Sequence, residues 1–156
     1  MSKPLVPPDL EIRRGEPRDH ADLAALRWEW RVVEEGAAGG SLTDFTVRFT
    51  AWAEKHAATH LPYVAVTEDK VVGMSWLAII DRIPGPVRWR RRVGILQSVY
   101  VLASYRQRGI GESMVRVVIE AARDLELDYL TVHPTERAFS LYRRVGFVAA
   151  DRKSVV

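Results

Sequence analysis

Residues 106–111 read Arg-Gln-Arg-Gly-Ile-Gly, the stretch of this chain best equipped for chemistry. An apolar run precedes it and an amphipathic run follows, so it reads as the turn from a strand into a helix. The free N–H groups and dipole at a helix N-terminus hold anions, phosphates in particular. Gly109 lets a ligand come close to the backbone, while Arg106 and Arg108 offer charge-assisted donors. The same residues would also serve a tight connection with exposed arginines. Two nucleotide signatures fail on spacing: GxxxxGK[ST] is absent, and GxGxxG would need a glycine where Met114 stands.

The elements that must position this turn follow from periodicity. Alternation makes residues 10–14 a first strand. Residues 18–35 read as one helix, with Asp19 as N-cap and Leu23, Leu26, Trp30 and Val33 on one face. Ser41-Leu42-Thr43-Asp44 resembles a capping box for a second helix, whose stripe Phe45, Phe49 and Trp52 is read as core. Residues 61–67 and 71–80 form an antiparallel hairpin around a turn at 68–70. Pro84-Gly85-Pro86 breaks the chain ahead of a basic run, Arg88 and Arg90–Arg92 around Trp89, read as a solvated loop. Strand 95–102, helix 109–125 and buried strand 127–132 make a right-handed crossover between parallel strands. Thr135 opens a short helix, 136–145, with Gly146 just past its end, and residues 147–155 form a last strand. The expected fold is α/β (α+β): a mixed, mostly antiparallel sheet with one parallel pair and helices on its faces.

The 156 residues are read as one domain, 1–156, whose first nine residues, with Pro4, Pro7 and Pro8, form an extended lead-in. At 47% hydrophobic and 28% charged, the composition is that of an ordinary globular protein. The chain has no cysteine, which excludes disulfides, thiolate metal sites and a cysteine nucleophile. No metal is expected. Residues 1–14 lack a long apolar run, so neither a signal peptide nor a membrane span is expected and the location is read as cytoplasmic. A net charge of +3 favours anionic ligands mildly, and the short basic run around one tryptophan does not argue for nucleic acid.

Two segments together resemble the GNAT superfamily of acyl-CoA-dependent N-acyltransferases. Arg106, Gly109 and Gly111 match its [QR]-x-x-G-x-[GA] signature, and residues 138–147, Ala-Phe-Ser-Leu-Tyr-Arg-Arg-Val-Gly-Phe, resemble its A-x-x-L-Y-x-x-x-G-F segment. The resemblance is sharp over about residues 94–148 and topological before that. It implies acetyl-CoA as co-substrate, its pyrophosphate on the amides of Arg108, Gly109, Ile110, Gly111, Glu112 and Ser113, with Arg106 and Gln107 completing the turn. It implies that the parallel strands splay and that the pantetheine pairs with the strand before the turn near Val99 and Val101, like an added strand. A primary amine then attacks the thioester directly, through a tetrahedral intermediate whose oxyanion is held by a backbone N–H on that strand. Tyr142 takes the place of the general acid that protonates the leaving thiolate.

The chain departs from the family pattern in three places. The strand glutamate that often helps deprotonate the amine would fall near Ile95, where only Gln97 and Ser98 are polar. A water chain, Glu34, Glu35 or His133 are the alternatives as base; His20, His56 and His60 are read as exposed helix residues. Thr135 stands where the family often has asparagine, and it either bonds the cofactor or simply caps the helix. Only one closing strand fits after Phe147, so part of the acceptor wall is expected to be absent or to come from a partner subunit in a homodimer. For the acceptor, Trp28, Glu34 and Glu35 are the candidate contacts, and the acids point to a cationic amine. A second class of function stays open: a non-catalytic acyl-CoA sensor or partner-binding module on the same fold, supported by the missing glutamate.

Overall fold

A computed structural model describes residues 6–149. Its strands are β1 (Glu11–Arg14), β2 (His60–Thr67), β3 (Lys70–Asp81), β4 (Arg92–Val101) and β5 (Leu130–Val132). Its α-helices are α1 (His20–Trp28), α2 (Leu42–Lys55), α3 (Ile110–Asp124) and α4 (Phe139–Arg144). The strands form one sheet in the order β1-β2-β3-β4-β5, antiparallel except for the parallel β4–β5 pair.

Helices cover both faces. On one, Leu23 and Leu26 of α1 and Ala53 of α2 pack against Val64, Met74, Trp76 and Tyr100. On the other, Val115 and Val118 of α3 and Tyr142 of α4 pack against Leu61, Leu77 and Leu96. Most side chains of β2 and β3 are buried, since both faces of these central strands are covered. The β2–β3 hairpin turns on Glu68 and Asp69, whose φ of 53° and 57° suit the right-handed twist of the strands.

The first helical region differs from the single helix expected. A 3₁₀ turn (Pro17–Asp19) leads into α1, and a π-helix (Glu29–Glu34) follows it. Asp19 does not cap α1 with its side chain: its carboxylate accepts from both Nη atoms of Arg13 (2.7 and 2.9 Å) and from the Glu16 N–H (2.7 Å). The hydrogen bonds from Arg13, against a smaller opposing effect of burial, hold its pKa below the usual carboxylate range. The wider π turn takes in one more residue, so Val33, expected on the buried face, is 59% exposed. The histidines also differ. His20 is buried, His56 ends α2, and His60 opens β2.

In α2, the Ser41 hydroxyl caps by accepting from the Asp44 N–H at 3.1 Å. Phe49 packs into the core while Trp52, at the end of the stripe, is 40% exposed and stacks on His56. The basic run lies in the β3–β4 connection, where Arg88 pairs with Asp128 and Arg91 donates to the Ile83 carbonyl. A 3₁₀ turn (Glu136–Ala138) precedes α4, and Gly146 follows it at φ 108°, a conformation natural only to glycine. Residues 147–149 of the expected last strand carry no strand structure, and the rest of it lies outside the described residues. Among the described residues, no helix is long and apolar enough to cross a membrane, and no group of three or more His, Asp or Glu could hold a metal ion.

Candidate active site

Strand β5 pairs with β4 only at Gly94, Ile95 and Leu96. Beyond Leu96, β4 continues to Val101 paired with β3 alone, and on its β5 side no described strand lies beside it. The pairing with β3 slips at the same level: Trp76 opposes Gln97, but Met74 opposes Tyr100, so β4 holds one extra residue there. Ser98 sits in this bulge at φ 54°, a left-handed conformation that costs a non-glycine residue energy. The bulge restores Val99 and Val101 to the α3 side of the sheet and Tyr100 to the α1 side, as their packing partners show. An exposed backbone edge left where the parallel pairing ends can take an extended ligand as an added strand.

The chain then reaches the basic turn. After a 3₁₀ turn (Ala103–Tyr105), Gln107 has φ 64° and Gly109 φ 78°, and Gly109 becomes the N-cap of α3. The N–H groups of Ile110, Gly111 and Glu112 belong to the first turn, where a helix leaves its donors free. Ser113 differs: its N–H and its hydroxyl both donate to the Gly109 carbonyl, at 3.1 and 3.0 Å, so its amide is not available to a phosphate. A groove of about 780 Å³ runs along the turn, lined by Val101, Gln107, Gly111, Arg116, Leu141 and Arg144 among others. Arg116 and Arg144, both missed in the sequence reading, also line it; Arg116 adds a cation, while Arg144 is paired with Glu112 at 3.1 Å. Arg108 lies over the Tyr105 ring at 5.4 Å.

Arg106 is engaged in a way the signature alone does not disclose. Its Nε donates to the Val101 carbonyl at 2.9 Å, and its Nη2 reaches both oxygens of Glu34 at 2.8 and 2.9 Å. Its guanidinium also lies 5.3 Å from the centre of the Tyr100 ring, which stacks on Trp30 at 5.3 Å. The Tyr100 hydroxyl is buried without a hydrogen bond of normal geometry, and burial, with the nearby Glu34 carboxylate, pushes its pKa up to about 12. The π-helix thus brings Glu34 and Trp30 against the end of β4.

The other expected residues distribute as follows. Tyr142 is 7% exposed, packed in one apolar cluster with Leu96, Val99 and Val132, and set edge-on to Phe147 at 5.6 Å. Burial raises its pKa, so the phenol stays protonated through neutral pH. Thr135 is exposed, and its carbonyl accepts from the Ala138 N–H at 3.0 Å while its side chain makes no capping bond. His133 is exposed beyond the end of β5. Glu35 pairs with Arg31 at 2.7 Å, and Trp28 packs on Phe45 at 6.0 Å. The acids that pointed to a cationic acceptor are therefore both neutralised by arginines of this chain.

Solved structures with the same fold include a predicted acetyltransferase with acetyl-CoA from Clostridium acetobutylicum (17% identity, TM-score 0.73, 92% of each chain covered). An acetyltransferase from Trypanosoma brucei is 23% identical with a TM-score of 0.74, over 95% of this chain and 99% of that one. Glucosamine-6-phosphate N-acetyltransferase from Arabidopsis thaliana is 15% identical with a TM-score of 0.70, over 91% and 93%. No curated protein matches the chain. The sequence does match the model of the acetyltransferase (GNAT) family from residue 22 to residue 147, a span that holds the broken β4–β5 pair, the turn and Tyr142, and the chain belongs to that family.

Proposed function

We propose that this protein transfers the acetyl group of acetyl-CoA to a primary amine. Membership of an acetyltransferase family implies acyl transfer; the finer reading rests on β4, which loses its neighbour after Leu96 and bulges at Ser98 directly before the turn that opens α3. An extended pantetheine fits the free edge near Val99 and Val101, and a pyrophosphate fits the amides of Ile110, Gly111 and Glu112, with Arg108 and Arg116 nearby. In the transfer, the amine nitrogen bonds to the acetyl carbon, the carbon–sulfur bond breaks, and the thiolate takes up a proton. The buried Tyr142 phenol is the group proposed to supply that proton, since burial keeps it in the donor form.

Glu34 and Glu35 are each paired with an arginine, and His133 is exposed beyond the end of β5. Removal of the amine proton is therefore assigned to water, and kcat/KM is expected to rise with pH toward the amine's own pKa. Titration calorimetry with acetyl-CoA, followed by thiol release across a broad amine panel, tests the proposal. Binding with release and an N-acetyl product is the expected result. Binding without release from any amine would instead identify a sensor, and absence of binding would overturn both readings.

A further inference from the structure

Arg27 has no carboxylate partner among the described residues. It projects from α1 toward the bulge of β4, where its Nη1 donates to the Ser98 hydroxyl at 3.2 Å. Its guanidinium stands 5.2 Å from the centre of the Trp30 ring. It is half-buried, and burial followed by the adjacent Arg31 lowers its pKa. The acid whose charge weakly offsets it, Glu35, is bound to Arg31 at 2.7 Å. A charge taken partly out of water without a counter-charge is costly, and stacking on tryptophan compensates only in part. One hydroxyl occupies one of the five N–H donors of the guanidinium, leaving a fork suited to a planar or tetrahedral anion.

The position of this cation gives it meaning. Ser98 precedes Val99, and the proposed reaction runs the pantetheine, which carries the thioester, along the strand edge at Val99 and Val101. Across the sheet, Val99 packs into the cluster of Leu96, Val118 and Tyr142, so that side is filled by the protein's own core. An acceptor therefore approaches from the α1 side, where Arg27 is the cation nearest the bulge by its bond to Ser98.

We infer that Arg27 binds an anionic group on the acceptor, and that the acceptor is a small amine carrying a carboxylate or phosphate a few bonds from its nitrogen. The reach is short, because Ser98 and Val99 are adjacent residues and neighbouring Cα atoms lie about 3.8 Å apart. This inference rests on the acetyltransferase reading above. It replaces the cationic acceptor expected from the sequence, since Glu34 and Glu35 are occupied and Arg27 is not.

The test is thiol release from acetyl-CoA with matched amines: the common amino acids, the primary amide of each, and aminoalkyl phosphates of similar length. The acids or the phosphates should exceed their neutral counterparts at least tenfold in kcat/KM, mainly through KM, and whichever series leads identifies the anion. Arg27→Gln should erase that preference, and Arg27→Lys should keep part of it, while acetyl-CoA affinity by calorimetry stays within twofold in both. Neutral amides used as well as the acids and phosphates by the unmodified protein would overturn the inference. So would a preference that survives Arg27→Gln. Release from no amine, with acetyl-CoA still bound, would overturn the acetyltransferase reading itself and the acceptor assignment with it.

Discussion

Gly109 is where a single added group tests the placement of phosphate at the turn, and two costs can be separated there. Its φ is 78°, and a Cβ built on it would stand 3.2 Å from Cγ2 of Val6. That contact is with the end of a small side chain in the N-terminal segment, so a shift of a few tenths of an ångström relieves it. The backbone is the larger cost: an L-residue in the left-handed region loses roughly 1–2 kcal/mol. In a domain of this size each kcal/mol moves Tm by about 2–4 °C, so Gly109→Ala should melt about 2–8 °C lower. Asparagine tolerates this conformation better, so Gly109→Asn should recover part of the loss. Gly109→Glu adds a second, separable effect. Two unit charges about 6 Å apart repel by about 3 kcal/mol at an effective dielectric constant of 20. Water in the open groove reduces this to about half, or roughly tenfold in affinity per phosphate charge met. Against a pyrophosphate, the glutamate variant should bind acetyl-CoA about a hundredfold more weakly than the alanine variant, at nearly the same Tm. Titration calorimetry and thermal melts read the two effects independently. Glutamate and alanine variants with equal affinity for acetyl-CoA would refute the placement of phosphate at this turn.

Three further outcomes follow from the same geometry. Tyr142→Phe should lower kcat at least tenfold while leaving acetyl-CoA affinity within twofold, measured under conditions where chemistry limits the rate; an unchanged kcat would remove the phenol from the proton transfer. Arg106 and Glu34 form a bidentate but partly exposed pair, so a double-mutant cycle of Arg106→Gln and Glu34→Gln, read by urea unfolding, should give a coupling of about 0.5–1 kcal/mol; a coupling of zero would show that the contact does not tie the π-helix to β4. Asp19→Asn should cost about 2 kcal/mol, because its side chain is only 5% exposed and Arg13 would lose its counter-charge. The folded pKa of Asp19 lies below its unfolded value, so this contribution is present above the ordinary carboxylate pKa and fades as pH falls through the lowered one. The gap between Asp19→Asn and the unmodified protein should therefore close under acid, and a gap independent of pH would mean that the ion pair is not its cause.

The parts of this fold that spacing discloses are those fixed by neighbours in the chain. The strand-turn-helix around Gly109, the Ser41 cap and the hairpin at Glu68-Asp69 each depend on a few consecutive residues, and each is present in the structure. Val33 shows where that logic stops. Its spacing from Trp30 fits an α-helix, but the backbone adopts π geometry there and exposes it. Nothing in residues 29–34 marks that choice. What engages this segment lies about seventy residues away in the chain, where Arg106 takes Glu34 and Tyr100 takes the Trp30 ring. Asp19 follows the same pattern, drawn from the expected cap by Arg13 on a different element. Arg27 could not be selected from the sequence either, because what distinguishes it is that no carboxylate among the described residues pairs with it in three dimensions.

Several departures from regular structure meet around the end of β4. The π-helix, the β4 bulge with Ser98 at positive φ, the end of β4–β5 pairing and the paired left-handed residues Gln107 and Gly109 all border one region. Each alone is a local cost that regular geometry would avoid. Together they have consistent consequences. Ending the parallel pair exposes backbone to a ligand, and the bulge turns Ser98 toward Arg27 while keeping Val99 on the side of Tyr142. The π turn delivers Glu34 to Arg106, and the same arginine holds the Val101 carbonyl, so the α1 side and the α3 turn are fastened to one strand. Arg106, whose Nε and Nη2 are spent on Val101 and Glu34, is expected to act as a joint between the proposed acceptor and cofactor sides. Loosening it should raise the KM for both substrates together, whereas loss of Arg27 should raise only that of the acceptor.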